Sequence, residues 1–569
     1  MVTAEGTRNM AEIETPFKRW VDVAEKDAAS GRLEMGIPMR DGVELAADVY
    51  LPIGHEGEAL PAIVEVTPYN KDNVVLMSGD YELYPKNGYV FVGVDCRGRG
   101  KSEGDWNGFA DDIPDTHDVI EWVAQQPWCN GKVGTTGLSY MGWVQWAGAS
   151  AHPPHLKAMI STSAAGRWQQ EIPYTNGVFQ LYFAWWAYIT RRRIEESYGL
   201  GQIDWDEALR ILPFKDIGDI IDTPTNTWDN LADRDTLDDY WKSLRFDDHY
   251  DQIDVACLHV TGWYDQEDLL GAFHHYENMM ANSPARDKQY LLVGPWSHVK
   301  SRNPDRYYAN IDHGPAAAWD MDKEHVAFFD HFLKDVDNGV DKLERVRLFE
   351  PGRNAWRDAG TWPTSSRSLE LFLGDGTLGD APTKTEGSSA YDYDPMDPLL
   401  TGIDVRLYPF EDVPLEQTSN EARRDIVAFT GPPVTEETVL SGWAHLKFFG
   451  STDGDDTDWH VKVTDVDPDG VSRRVTQGCL RAACRSSLEQ PSAVTLNEVL
   501  EYDVELWPTH HVFMPGHSMR ITVTSSDFPW YARSLNKFGP VRLQSTPRIA
   551  HNTVHFGGHY PSKCILPIE

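Results

Sequence analysis

The stretch Lys132-Val133-Gly134-Thr135-Thr136-Gly137-Leu138-Ser139-Tyr140-Met141-Gly142-Trp143 decides how this chain folds. It opens with a short strand-like run, Lys132 to Gly134, and leads into an apolar, small-residue segment from Trp143 to Ala151 that reads as helix. Ser139 therefore falls on a tight strand-to-helix turn, the setting of a nucleophile elbow. A serine hydroxyl is a weak nucleophile at neutral pH. A fold that uses one has to expose it on a sharp turn, with a base in reach and N–H donors for the oxyanion. The flanking Gly137 and Gly142 let neighbouring backbone pass close by without a Cβ in the way. The spacing departs from G-x-S-x-G, because position 141 is Met and the second glycine comes one residue later. On its own the hexapeptide also fits an ordinary glycine-rich turn, so the assignment has to come from the rest of the chain.

Upstream of the elbow, the segments alternate strands with a helix. Residues 34 to 52 hold an Asp41-Gly42 turn between alternating segments and predict a β-hairpin. Pro61 to Tyr69 predicts a strand ending in a Pro-Tyr loop, and Tyr89 to Asp95 another, running into the Gly- and Arg-rich Cys96 to Gly104. That loop lacks the GK[ST] ending and following helix of a phosphate cradle and reads as structural. An amphipathic helix is expected from Ile113 to Gln126, with Asp111 and Asp112 suited to its positive end. Such alternation implies a largely parallel sheet, whose chemistry sits at the carboxyl ends of the strands.

Downstream, the alternation stops between Pro153 and Asp248, where Trp168, Trp185, Trp186, Trp205, Trp228 and Trp241 lie among helical patterns such as Val178 to Ile189. A helical cap over the site is expected, its aromatics shared between its own core and a pocket. Strands then resume at Val255 to Asp265 and, after a helix from Leu269 to Met280, at Tyr290 to His298. Each ends on one titratable residue, so Ser139, Asp265 and His298 follow in the order of the α/β-hydrolase triad. Beyond about Arg345, short alternating strands divided by Gly, Asp and Pro turns predict an all-β sandwich or jelly roll. Two acidic stretches inside it, Asp453 to Asp458 and Asp465 to Gly470, resemble calcium loops. The second carries Thr476 where the bidentate Glu should be, and both read as hairpin turns.

Bulk properties bound the remaining possibilities. The net charge of -37 would repel a phosphate backbone, which argues against nucleic acid as a partner. No apolar run approaches the about 20 residues that cross a bilayer, and Met1 to Gly6 lacks the basic and apolar regions of a secretory signal, so a cytoplasmic location and no membrane partner are expected. The six cysteines are scattered without Cys-x-x-Cys or zinc spacing, so neither a disulfide framework nor a metal is expected.

Several ordered motifs together resemble a known family: Arg40-Asp41-Gly42, Thr67-Pro68-Tyr69, Asp95-Cys96-Arg97-Gly98, the Gly137 to Gly142 elbow, Gly262-Trp263-Tyr264-Asp265, Gly294-Pro295-Trp296-Ser297-His298 and Ser525-Ser526-Asp527-Phe528-Pro529. The chain resembles the cocaine-esterase-like (CocE/NonD) serine hydrolases, relatives of X-Pro dipeptidyl-peptidases, glutaryl-cephalosporin acylases and α-amino acid ester hydrolases. The resemblance implies an α/β-hydrolase domain (1–152 and 249–345) interrupted by a helical cap (153–248) and followed by an all-β jelly roll (346–569). It implies cofactor-free hydrolysis of a small-molecule ester or amide, with Ser139 as nucleophile, His298 as base, Asp265 as its orienting carboxylate, and an oxyanion hole made of the Tyr140 N–H and the Tyr69 phenol. After Asp265 comes Gln266-Glu267-Asp268, similar to the run with which α-amino acid ester hydrolases bind a substrate ammonium. Glu267 and Asp268, with Glu171 in the cap, are candidates for such a cluster, and Trp143 and Trp168 for substrate contacts. The same acids equally suit the positive end of the next helix, and Met141 stands where those enzymes often carry an acid. Within the implied class a small-acyl esterase leads. An amino-ester or β-lactam acyl hydrolase and an X-Pro peptidase follow, ahead of a non-enzymatic binding protein in which the β-domain does the work. Homo-oligomer contacts through the β-domain are compatible with the sequence.

Overall fold

The computed structural model describes residues 30–55, 57–194, 197–223, 225–405 and 412–569. The polar amino-terminal residues read above lie outside them. Ten strands form one sheet: β1 (Ser30–Pro38), β2 (Glu44–Pro52), β3 (Leu60–Thr67), β4 (Val90–Asp95), β5 (Cys129–Leu138), β6 (Leu156–Thr162), β7 (Ala256–Gly262), β8 (Gln289–Gly294), β9 (Val346–Glu350) and β10 (Ala355–Ala359). Their order is β1-β2-β4-β3-β5-β6-β7-β8-β9-β10. From β4 to β9 every neighbouring pair is parallel, while β1, β2 and β10 close the two edges antiparallel.

The central strands are buried along their length because the sheet is covered on both faces, and their near-continuous apolar runs reflect that. Successive side chains alternate between two cores. On one face, Val64, Val92 and Met159 pack with α1 (Asp112–Ala124) and α2 (Tyr140–Ser150), through Val119, Ile120 and Trp146. On the other, Ile63, Phe91 and Ile160 meet Phe328 and Phe329 of the helix Met321–Lys334. Several sequence expectations hold with small shifts, the Asp41-Gly42 hairpin among them. Two boundaries move: β6 joins the sheet inside the segment read as cap, and β9 and β10 join it beyond residue 345. β6 and β9 are short and apolar enough to be buried between neighbouring strands, while β10 closes the edge and is exposed or half-buried along its length.

The cap also differs from its pattern. The apolar stretch from Val178 is helical only as α3 (Phe183–Thr190). Its first residues pair with Tyr174–Thr175 as a small hairpin turning at Asn176-Gly177, both at positive φ, and the backbone of Gln180 bridges to Tyr531 of the β-domain. Edge pairing takes the backbone groups that a helix would have used.

In the carboxy-terminal region a seven-stranded and a four-stranded antiparallel sheet face each other around one core, with Leu446, Phe448, Trp459, Ile521 and Val554 fully buried. The Asp465 to Gly470 turn is a hairpin, its Asp467 carboxylate accepting from the N–H groups of Asp469 (3.0 Å) and Val471 (2.9 Å). The Asp453 to Asp458 stretch is not. It carries the chain from the strand Thr438–Thr452 in one sheet to Asp458–Val466 in the other, and its Asp456 is buried in an ion pair with Arg481 at 2.6 Å. The sandwich abuts the hydrolase domain directly: Trp443 donates to Glu277 (2.7 Å), and Arg474 and Gln477 each donate to Gln266 (2.8 Å).

Candidate active site

Ser139 follows β5 and caps α2 at φ 65°, ψ -124°, a backbone region costly for a side chain larger than glycine's hydrogen. The conformation is held from both sides. The Ser139 N–H faces the carbonyls of Thr162 (3.0 Å) and Ser163 (3.1 Å) at the end of β6, and its carbonyl accepts from Trp143 N–H (2.9 Å). Both glycines are explained by close approach. A Cβ at Gly137, where φ is 148°, would lie 2.4 Å from Met141 Cβ, and one at Gly142 would lie 2.7 Å from the Thr162 carbonyl oxygen. The second glycine thus serves the crossing of α2 over β6, a contact that position 142 makes.

Asp265 follows β7 and His298 follows β8. Nδ1 of His298 lies 3.1 Å from both oxygens of Asp265. Asp265 Oδ1 also accepts from the N–H groups of Glu267 (2.9 Å) and Asp268 (3.1 Å), which fixes the carboxylate's orientation. Burial works against its charge, but His298 and these hydrogen bonds outweigh it and hold the acid below the usual carboxylate range. The opposite nitrogen, Nε2 of His298, faces Glu267 Oε2 at 3.6 Å and Asp268 Oδ2 at 4.0 Å. Burial opposes the imidazolium, yet Glu267, Asp265 and Asp268 together raise His298 well above the ordinary histidine range. Asp268, fully buried, is itself pushed well above the normal carboxylate range by desolvation.

Ser139, Glu267 and Asp268 line one cavity with Tyr69, Tyr140 and Trp143. Tyr140 is the first residue of α2, where backbone N–H groups have no intrahelical carbonyl. Its phenol is tied away from the cavity, donating to the buried Asp112 (2.6 Å) and accepting from Phe109 N–H (2.8 Å). Asp112, read from the sequence as a helix-end charge, is therefore a buried partner of the elbow, and burial raises it to about 7. Tyr69 accepts from Trp186 Nε1–H (2.9 Å), so its own hydroxyl hydrogen is left to donate elsewhere. Two candidates lie behind the cavity wall. Trp168 is fully buried, stacked on Trp241, with its indole N–H on the Leu244 carbonyl. Glu171 spends its carboxylate on the N–H groups of Gly166 (2.9 Å), Arg167 (3.1 Å) and Gly271 (2.5 Å). The rest of the wall, which includes Phe109, Ile172, Gln180, Tyr182, Phe183 and Trp186, was not singled out by sequence as substrate-binding. Only Trp186 carried a signal, as one of the cap's tryptophans.

The fold, with a serine elbow at the carboxyl edge of a mostly parallel sheet and a histidine and an acid on later strand ends, is that of an α/β-hydrolase. Residues 41–300 match the X-Pro dipeptidyl-peptidase (S15 family) model, and residues 338–565 the X-Pro dipeptidyl-peptidase C-terminal non-catalytic domain. The chain is 30% identical to the cocaine esterase of Rhodococcus sp. (strain MB1 Bresler), over 94% of this chain and 97% of that one. Among solved structures it is similar to an aminopeptidase from a marine sediment Thaumarchaeota archaeon (TM-score 0.83, 25% identity, all of both chains). It is also similar to an α-amino acid ester hydrolase (TM-score 0.82, 25% identity, 95% and 97% of the two chains). The chain belongs to the cocaine-esterase-like family of serine hydrolases and is a hydrolytic enzyme. Among the described residues, no helix is long and apolar enough to cross a membrane.

Proposed function

We propose that the enzyme cleaves carboxylic esters through an acyl-enzyme on Ser139. His298 Nε2 takes the Ser139 proton as Oγ attacks the ester carbonyl carbon. The resulting oxyanion is met by the Tyr140 N–H and the Tyr69 hydroxyl, and the carbon–oxygen bond to the alcohol breaks as His298 returns the proton to the leaving oxygen. Water repeats the sequence on the acyl-serine and releases the acid. The observation that carries this reading is the Asp265–His298 contact at 3.1 Å beside a cavity lined by the strained Ser139 and Tyr69. Its test is Ser139→Ala, for which ester hydrolysis is expected to fall to background with an unchanged far-UV spectrum; wild-type turnover in that variant would refute the mechanism.

A second reading, favoured by one observation, narrows the substrate to α-amino esters. Asp268 Oδ1 is buried and has no hydrogen-bond partner, and the residue Asp268 belongs to the cavity wall with Glu267. A buried carboxylate oxygen without a partner is costly, and a substrate ammonium would satisfy it. Kinetics on methyl phenylglycinate and methyl phenylacetate decide it: a preference for the amino ester that Asp268→Asn abolishes is expected, and equal rates would leave a general esterase.

A further inference from the structure

Gln180 is 1% exposed and forms part of the cavity wall. Its amide orientation is determined by its neighbours. The side-chain nitrogen lies 2.7 Å from the Glu171 carbonyl oxygen, which can only accept, so that atom is Nε2 and not Oε1. The second Nε2 hydrogen goes to Thr175 Oγ1 at 3.0 Å, whose own proton goes to the same Glu171 carbonyl at 2.8 Å. Both amide hydrogens are consumed, and the support they rest on is rigid, because the Glu171 carboxylate is itself fixed on three backbone N–H groups. Oε1 is left buried with no partner. A buried acceptor without a donor is an expensive feature, and one held in place by two hydrogen bonds on its other atom cannot turn away to find one.

We propose that Gln180 is a specificity-determining residue: its Oε1 accepts a hydrogen bond from a donor on the acyl part of the substrate, so that the site selects acids bearing an N–H or O–H close to the carbonyl. The proposal rests on the cavity being the acyl site of the Ser139 hydrolase, and it differs from the carboxylate reading in the ligand it admits. Asp268 and Glu267 favour a cation, whereas a neutral amide oxygen takes a neutral hydroxyl as well as an ammonium.

The test uses three methyl esters, of phenylacetic acid (no donor), mandelic acid (neutral O–H) and phenylglycine (ammonium), with the ratio of kcat/KM for each donor ester to the donor-free ester as readout. Gln180→Met is expected to lower both ratios about tenfold, the worth of one buried hydrogen bond, whereas Asp268→Asn lowers only the phenylglycine ratio. Ratios unchanged in Gln180→Met, including an equal fall on all three esters, would overturn the proposal and leave Gln180 a structural strut. A second measurement does not depend on the variant folding. Wild type is expected to prefer methyl mandelate over its α-fluoro analogue, after normalisation to their alkaline hydrolysis rates, and no preference would overturn it. Failure of the underlying reading looks different, since Ser139→Ala would then retain turnover of these esters.

Discussion

At the scale of single residues, the unusual feature is a histidine contacted by acids on both ring nitrogens. In the proposed mechanism the Asp265 side is the orienting contact of a catalytic triad. The Nε2 side is occupied by Glu267 and Asp268, which favour the imidazolium, and in the proposed mechanism it is neutral Nε2 that accepts the serine proton. The sign follows: with His298 raised, the active neutral form is gained as pH rises, so activity falls away on the acid side. The acid limb of kcat/KM, which reports the free enzyme, is expected above the ordinary histidine value. Glu267→Gln is expected to move it to lower pH, and a limb that stays in place would show that Glu267 does not act on His298. These contacts were only partly legible. Ser139, Asp265 and His298 stood out because each follows a strand end. The two orphaned acceptors, Asp268 Oδ1 and Gln180 Oε1, could not be read, since a missing partner is a property of packing and leaves no trace in spacing.

At the scale of elements, the elbow depends on how closely α2 crosses β6. Gly142→Ala would drive a methyl to 2.7 Å from a backbone carbonyl that cannot rotate away, so helix or strand must shift. The expected cost is about 1–3 kcal/mol of stability, read as a lower denaturant midpoint, together with a fall in kcat because the Tyr140 N–H moves with the helix. An unchanged midpoint and kcat would mean that the crossing is not tight. Strand-helix alternation from β3 to α2 was legible because buried parallel strands and amphipathic helices leave opposite patterns. The hairpin before α3 was hidden, because Val178 to Ile189 is apolar throughout and such a run has no period to separate strand from helix. The Asp453 to Asp458 turn was misread for a related reason: acidic turn residues look alike whether they close a hairpin or change sheets, and only the buried Arg481 partner distinguishes them.

At the scale of the whole molecule, the β-domain takes part in holding the site. Arg474 and Gln477 both bond to Gln266, the residue after Asp265, so the loop carrying the acid is clamped across the domain boundary. Arg474→Met removes a charge-assisted bond in a buried setting and is expected to cost about 2 kcal/mol, with a lower kcat through the displaced Asp265. A destabilised variant with wild-type kcat would limit the sandwich to a structural role. The three-part architecture was legible from changes in composition along the chain, but the clamp was not, because its partners are some 200 residues apart in sequence. The proposed chemistry turns on one atom, Ser139 Oγ. The most direct measurement is therefore peptide mass spectrometry of the enzyme inactivated by a fluorophosphonate, set against the activity remaining. One phosphonyl group per chain is expected, on the peptide containing Ser139, with activity lost in proportion and no labelling in His298→Ala. Full inactivation with Ser139 unmodified would contradict that chemistry.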